Sequence, residues 1–399
     1  MDRGYWRTVS LVTTWQVAAS ICYYSVFAAT PFFRDAFGLS RFSVGLVITA
    51  LTIGYATFLL PVGALIDRYG ERELLTGGLL GLATTAALIA AAPTFPLVLV
   101  VAFGLGSLYA TAIPGTNKAI YDAIAAGRQN VAMGIKQVGV TGGSAISALL
   151  VTGLAGYRFW QAGFLVATAV GFVVAVTFYR FYQSSSEVTD GGYPDFRRLS
   201  RNRPYRLLVV AGFFLGAALF TTTGYTVLYV EESIGASVFA GGVVLALVQL
   251  FGSVGRILGG WLSDTLPGDP QRRIGTILLV QALASTAMFV AVGWVSSPLW
   301  AAVAFAMLGL FVLGNTGVYY SCMATLVTAE EMGGATAGGQ LSLVAGSIVA
   351  PPVFGYLADT VGYHASWLLL AGGTLLAAVL VFAVTRLESP VAEPAMADR

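Results

Sequence analysis

With 399 residues, 57% of them hydrophobic, only 10% charged and 48 of them glycine, the chain lacks the charged surface that a soluble globular protein of this length carries. Its mean hydropathy of +0.80 points to an all-α polytopic membrane protein. A formal net charge of +2 identifies no charged partner, and no nucleic acid is expected.

Divided at its charged or Gly/Pro-rich breaks, the chain yields twelve apolar segments near the ~20 residues that an α-helix needs to cross hydrocarbon. They run 9 to 32, 42 to 66, 73 to 92, 96 to 121, 130 to 154, 159 to 182, 205 to 230, 238 to 263, 273 to 293, 298 to 326, 332 to 357 and 363 to 386. The first begins near Thr8 with no small-residue cleavage pattern, so it reads as a retained span rather than a signal peptide. Cys22 and Cys322 both fall within spans and His364 is the only histidine. No metal site, cofactor or disulfide framework is therefore expected, and no nucleophile–base pattern suggests catalysis.

The one long polar break is QSSSEVTDGGYPDFRRLSRNRP, residues 183 to 204. It divides the chain into a six-span half, 1–182, a cytoplasmic linker, 183–204, a second six-span half, 205–386, and a cytoplasmic tail, 387–399. Placing the N-terminus inside puts fifteen arginines in the cytoplasm and leaves Arg34, Arg41 and Arg158 outside. The positive-inside rule favours that orientation, in a cell membrane.

Internal similarity runs between the halves. GALIDRYGER at 63 to 72 follows the second span, and GWLSDTLPG at 260 to 268 follows the eighth. Gln137 and Gln340 occupy matching places in the fifth and eleventh spans, and GYRFW and GYHASW open the sixth and twelfth. All these pairs lie about 200 residues apart, the plan of a transporter with repeated halves.

Gly63, Asp67, Arg68, Gly70 and Arg72, with the partial copy at Gly260 and Asp264, resemble the signature loop of the major facilitator superfamily. The resemblance implies a twelve-helix fold. It also implies that these residues gate rather than select substrate, with Asp67 meeting the start of the eleventh helix near Glu331 to Gly334 in the outward-open state. Arg68 and Arg72 would pair with acidic neighbours. A second stretch, PGTNKAIYDAIAAGRQNVAMGIKQVGVTGG at 114 to 143, resembles a prokaryotic branch of cyanate-transporter-like and nitrate/nitrite-porter-like anion carriers, through Asn117-Lys118-Ala119 and Gly134-Ile135-Lys136-Gln137.

Three cations remain inside spans: Lys118, Lys136 and Arg256. Lys136 lies eight residues beyond Arg128, about 12 Å along a helix. Arg256 precedes Asp264 by the same interval, so the two reach similar depth. The resemblance would bring them to one central cavity and make Arg256 a substrate-binding residue, as in nitrate/nitrite porters, oxalate:formate antiporters and monocarboxylate transporters. No carboxylate sits at mid-span: Asp35, Glu231 and Glu232 fall near outer ends, and Asp67, Asp122, Asp264, Glu330, Glu331 and Asp359 are assigned to inner ends. Cations without a protein counter-ion suggest an anionic cargo.

Snorkelling to the headgroups is the alternative for Lys118 and Lys136, and a structural role with helix-end carbonyls is the alternative for Arg256. Further substrate candidates are Gln137, Asn117, Asn315 and Gln340, together with aromatics of the cavity-lining helices: Tyr23, Tyr24 and Phe27, Tyr225 and Tyr229, Tyr319 and Tyr320. Packing against helices or lipid is the competing reading for each. The function expected is secondary transport of a small inorganic or organic anion, carboxylate-type favoured, by alternating access. A coupling proton or counter-anion, surrounding lipid and a monomeric state complete the expectation. Efflux of amphipathic molecules and a non-transporting membrane sensor are the alternatives.

Overall fold

The computed structural model describes residues 3–125, 128–155, 159–184, 196–328 and 331–387. Arg158, Glu330, Arg399, half of the expected linker and all of the expected tail but Leu387 lie outside them. Inside hydrocarbon every backbone N–H and C=O must be satisfied within its own segment, and the apolar runs accordingly form helices. Twelve are long and apolar enough to span a membrane: α1 Gly4–Ala28, α2 Arg41–Tyr69, α3 Glu71–Ala91, α4 Phe95–Ala123, α5 Val131–Ala155, α6 Gln161–Phe181, α7 Arg203–Glu232, α8 Val238–Thr265, α9 Pro270–Val292, α10 Pro298–Ala324, α11 Met332–Thr360 and α12 Tyr363–Arg386.

Turn chemistry sets several boundaries. The first expected span ran to 32, but α1 stops at Ala28 and a short helix, Thr30–Phe37, takes Pro31 in its first turn. Proline has no N–H to continue the preceding helix, and there it loses nothing. That short helix ends on Gly38 at φ 61°, after which Ser40 caps α2 by accepting from Ser43 N at 3.2 Å. Gly70, at φ 87°, makes the one-residue turn between α2 and α3. Within α10 the residues Gly309–Leu313 form a π-turn, which has no signature in the hydropathy.

Among the first six helices α1 packs along α5, α2 along α4 and α3 along α6; among the last six, α7 packs along α11 and α9 along α12. The two sets meet along α2 with α11 and α5 with α8. Lipid offers no hydrophobic drive for helix association, so close backbone approach has to supply the contact energy. A Cβ on Gly45 of α2 would lie 2.6 Å from the Pro351 carbonyl carbon of α11, so a larger residue would part the seam.

This seam is sealed on the face opposite the linker. Asp359 Oδ1 accepts from the Arg41 backbone N–H at 3.0 Å and Oδ2 from that of Phe42 at 2.9 Å, a carboxylate from the end of α11 on the N-terminus of α2. A helix start exposes unpaired N–H groups and positive potential, which a carboxylate satisfies. The Arg41 side chain reaches Glu232 at 2.7 Å and Asp359 at 3.5 Å, Arg34 reaches Glu232 at 2.6 Å, and the Tyr363 hydroxyl donates to Glu232 at 2.7 Å. Asp359, assigned above to an inner end, thus lies on the far face beside Arg41. α11 runs in the opposite sense to α2, so its C-terminal end meets the start of α2.

Asp359→Ala should loosen this closure. In a Thr49→Cys background, where position 49 faces Ile348 of α11 and both native cysteines are buried, maleimide labelling should become several-fold faster. Unchanged labelling would mean that the carboxylate does not hold the far end shut.

Candidate functional site

Two helical stripes carry one wall of a cavity of about 680 Å³ between the two sets of helices. On α5, Met133, Lys136, Gln137 and Val140 recur at three- and four-residue intervals and share a face; on α10, Thr316, Gly317 and Tyr320 do the same. Between them α8 contributes Arg256 alone. The cavity runs from Tyr23, Tyr24 and Phe220, well inside the helices, to Asp67 and Gly333 at the linker face.

Lys136 is only 2% exposed, and its Nζ donates to Asn117 Oδ1 of α4 at 2.8 Å. An ammonium has three donors, so two remain for water or a ligand. Arg256 Nε donates to Thr316 Oγ1 at 2.9 Å and to the Leu313 carbonyl at 3.2 Å, while Nη1 is buried without a partner. Neither cation is ion-paired among the described residues. Asp67, at the mouth, is the one acidic residue on the cavity wall among the described residues.

Phenols cover the inner end. Tyr23 stacks on Tyr109 with centroids 4.0 Å apart, Tyr24 stands edge-on to Tyr23 at 5.1 Å, and Phe27 and Phe220 meet behind them at 6.4 Å. Gln16 Nε2 donates to the Tyr109 hydroxyl at 3.4 Å, and the Tyr320 hydroxyl donates to Gln340 Oε1. Gln16, Tyr55, Tyr109 and Thr316 line the cavity although the sequence analysis did not select them. A signal existed for Gln16, an amide seven residues before Tyr23 and so on its face. Tyr55, Tyr109 and Thr316 come to the cavity only through helix packing.

Of the residues expected at the site, Arg256, Lys136, Gln137, Asn117, Gln340, Tyr23, Tyr24 and Tyr320 line this one cavity. Six others are elsewhere, among them Phe27, which is fully buried. Lys118, expected to lack a counter-ion, pairs with Asp122 one turn on at 3.1 Å. The Tyr225 hydroxyl donates to the Arg41 and Pro351 carbonyls, and that of Tyr229 to the Val292 carbonyl at 2.9 Å. Both phenols serve helix junctions, because a buried hydroxyl goes to the nearest free carbonyl. Tyr319 is fully buried against Gly212 and Gly339, between α7 and α11, and Asn315 is 1% exposed with both amide atoms unpartnered.

The signature loop is divided. Gly63 and Asp67 border the cavity mouth, whereas Arg68 is exposed over the Tyr69 ring at 5.4 Å. Arg72 stacks on the Tyr179 ring at 4.5 Å and donates to its carbonyl at 2.7 Å. The expected acidic partners of Arg68 and Arg72 are thus replaced by aromatic and carbonyl contacts on this open face. Gly260 is half-buried, and Asp264 is exposed away from the cavity.

A model of the Major Facilitator Superfamily matches residues 14–344. The hexuronate transporter of Bacillus subtilis (strain 168) is 25% identical over 386 residues, covering 91% of this chain and 90% of its own. A probable sulfoacetate transporter of Cupriavidus necator is 26% identical over 395 residues, covering 92% and 91%. Among solved structures, an inward-facing, occupied bacterial homolog of the human lysosomal transporter Spinster superposes with a TM-score of 0.82 at 16% identity, over 97% of this chain and 98% of that one. The two relatives are named for organic anions, and their names do not extend the resemblance to cyanate or nitrate carriers.

If Asn117 holds the Lys136 ammonium, Asn117→Leu should destabilise the protein by roughly 2 kcal/mol, the scale of a lost hydrogen bond to a charged group. The drop in thermal midpoint should vanish in Lys136→Met/Asn117→Leu, where no cation is stranded. An equal loss in both backgrounds would assign Asn117 a packing role.

Proposed function

The chain belongs to the major facilitator superfamily, and on that premise we propose that it is a secondary carrier of a small organic anion, working by alternating access. One observation carries the reading: a single cavity receives Lys136 from α5 and Arg256 from α8, and neither has a carboxylate partner among the described residues. Two cations facing one ligand-sized space, Lys136 buried and Arg256 partly so, attract an anion and repel a cation. Gln137, Gln340, Asn117 and the phenols of Tyr23 and Tyr24 would orient the remainder of the molecule. The relatives named for hexuronate and sulfoacetate support an organic cargo.

Residues 1–182 and 205–386 act in this scheme as two bodies rocking around the Lys136/Arg256 region. With the linker face taken as cytoplasmic from the arginine asymmetry, the cavity open to that face corresponds to an inward-facing state in a cell membrane. Gly63, Asp67, Arg68, Gly70 and Arg72, with Gly260 and Asp264, serve the opposite closure. Among the described residues no acid lines the inner cavity to relay a proton, so exchange for a second anion needs the fewest additional groups. Proton symport requires that the cargo or Lys136 carry the proton.

The aromatic inner end favours one second reading, efflux of amphipathic molecules, and charge preference separates the two. The purified protein should be screened by thermal shift against glucuronate, sulfoacetate, benzoate, succinate, nitrate and cyanate. A ligand at 100 times its Kd stabilises the folded state by about 2.7 kcal/mol. We expect such a shift from at least one organic anion, and its loss in Arg256→Ala. Stabilisation by neutral or cationic amphiphiles alone, unchanged in Arg256→Ala and Lys136→Ala, would sink the anion reading.

A further inference from the structure

Arg256 is gripped along one edge only. Its Nε donates to Thr316 Oγ1 at 2.9 Å and to the Leu313 carbonyl at 3.2 Å, and the Thr316 hydroxyl itself donates to that carbonyl at 3.0 Å. The two terminal nitrogens have no hydrogen-bond partner among the described residues, and Nη1 is fully buried. A guanidinium can present a carboxylate with either its side, Nε with one Nη, or its end, the two Nη together. Here the side is occupied by the protein.

The grip depends on a local irregularity in α10. Gly309–Leu313 is a π-turn, with the Gly314 N–H bonded to the Gly309 carbonyl at 3.1 Å, and Leu313 closes it. A π-turn inserts one residue into the helix, which rotates everything that follows by about 100°. That rotation is the offset between Asn315 and Tyr319, buried away from the cavity, and Thr316 and Tyr320, which line it. Glycines then bring α8 against the turn: a Cβ on Gly255 would strike the Leu310 carbonyl, and one on Gly309 the Val248 carbonyl. Such close packing puts the Arg256 stem beside Gly317 and its Nε at the Leu313 carbonyl.

We infer that Thr316 is a positioning residue: with the π-turn carbonyl it holds Arg256 by Nε, so that this edge is closed to a ligand and the anion is met at the terminal end of the guanidinium, at Nη2. This rests on Arg256 being the anion anchor of the carrier proposed above. The ligand class that fits is one bearing a terminal carboxylate, whose oxygen accepts from that charged donor.

The test uses the full-length protein in proteoliposomes and whichever of glucuronate, succinate or benzoate most stabilises it. Thr316→Val keeps the shape and removes the oxygen; it should raise KM about 10-fold, the order expected for one hydrogen bond to a charged group, while the saturating rate changes less than 2-fold. Thr316→Ser should stay within 2-fold of the parent. In an Arg256→Lys background, which has no Nε to hold, Thr316→Val should have less than a 2-fold effect. A KM unchanged in Thr316→Val, a loss confined to the saturating rate, or the same 10-fold penalty in the Arg256→Lys background would overturn the assignment while leaving the carrier intact. If no carboxylate binds the parent protein, the carrier reading and this one fall together.

Discussion

A guanidinium held deep among helices without a carboxylate beside it is the constraint to which the rest of the site answers. Removing a charged group from water carries a penalty of several kcal/mol even after relaxation, and a protein can offset it with dipoles, water or a ligand. For Arg256 the dipoles are the Leu313 carbonyl and the Thr316 hydroxyl, and they reach only Nε. Nη1 is buried without a partner, which leaves Nη2 to whatever occupies the cavity. Lys136 repeats the arrangement from the other set of helices, with a single amide oxygen as its protein partner. Both charges are therefore left to water or to whatever enters the cavity, and the proposed binding role rests on that.

The same helices that carry these charges also decide which end of the cavity is open. α2 and α11 run antiparallel along the seam between the two sets, so each presents a helix start where the other presents an end. On the far face the carboxylate of Asp359 sits on the start of α2. On the linker face Asp67, near the end of α2, borders the open mouth with Gly333 of the first turn of α11. The two ends are alike in pairing a carboxylate near the end of one helix with the start of the other, but Asp359 makes its contacts, whereas no hydrogen bond joins Asp67 to α11 among the described residues. Under the proposed alternating access, helices about 40 Å long by the helical rise would couple closure at one end to separation at the other.

Much of this was legible from residue order because the bilayer imposes simple rules. Apolar length set the number of helices, and the scarcity of mid-span acids marked Lys136 and Arg256. Counting residues from the nearest charged boundary placed both at similar depth, and they line one cavity. Lys118 was misjudged although its partner stood four residues away in Asp122, a spacing readable on any helix. Asp359 was assigned to the wrong face for want of following the direction of its own helix. Tyr225 and Tyr229 illustrate a different limit: a phenol in a span serves a cavity or a free carbonyl, and composition does not distinguish them.

By itself the sequence determined an all-helical membrane chain of twelve spans and narrowed the uncompensated cations to three, of which Lys136 and Arg256 have no ion pair among the described residues, since each follows from transfer energies and helical rise along a single segment. Which side chains face the cavity was decided only by tertiary structure. One inserted residue in the π-turn of α10 exchanges Asn315 and Tyr319 for Thr316 and Tyr320 at the cavity wall, and glycine contacts between α8 and α10 set the edge by which Arg256 is held. Hydropathy is nearly blind to a rotation of about 100° within a buried helix, because the faces exchanged are similarly apolar. The chemistry of the site depends on that rotation.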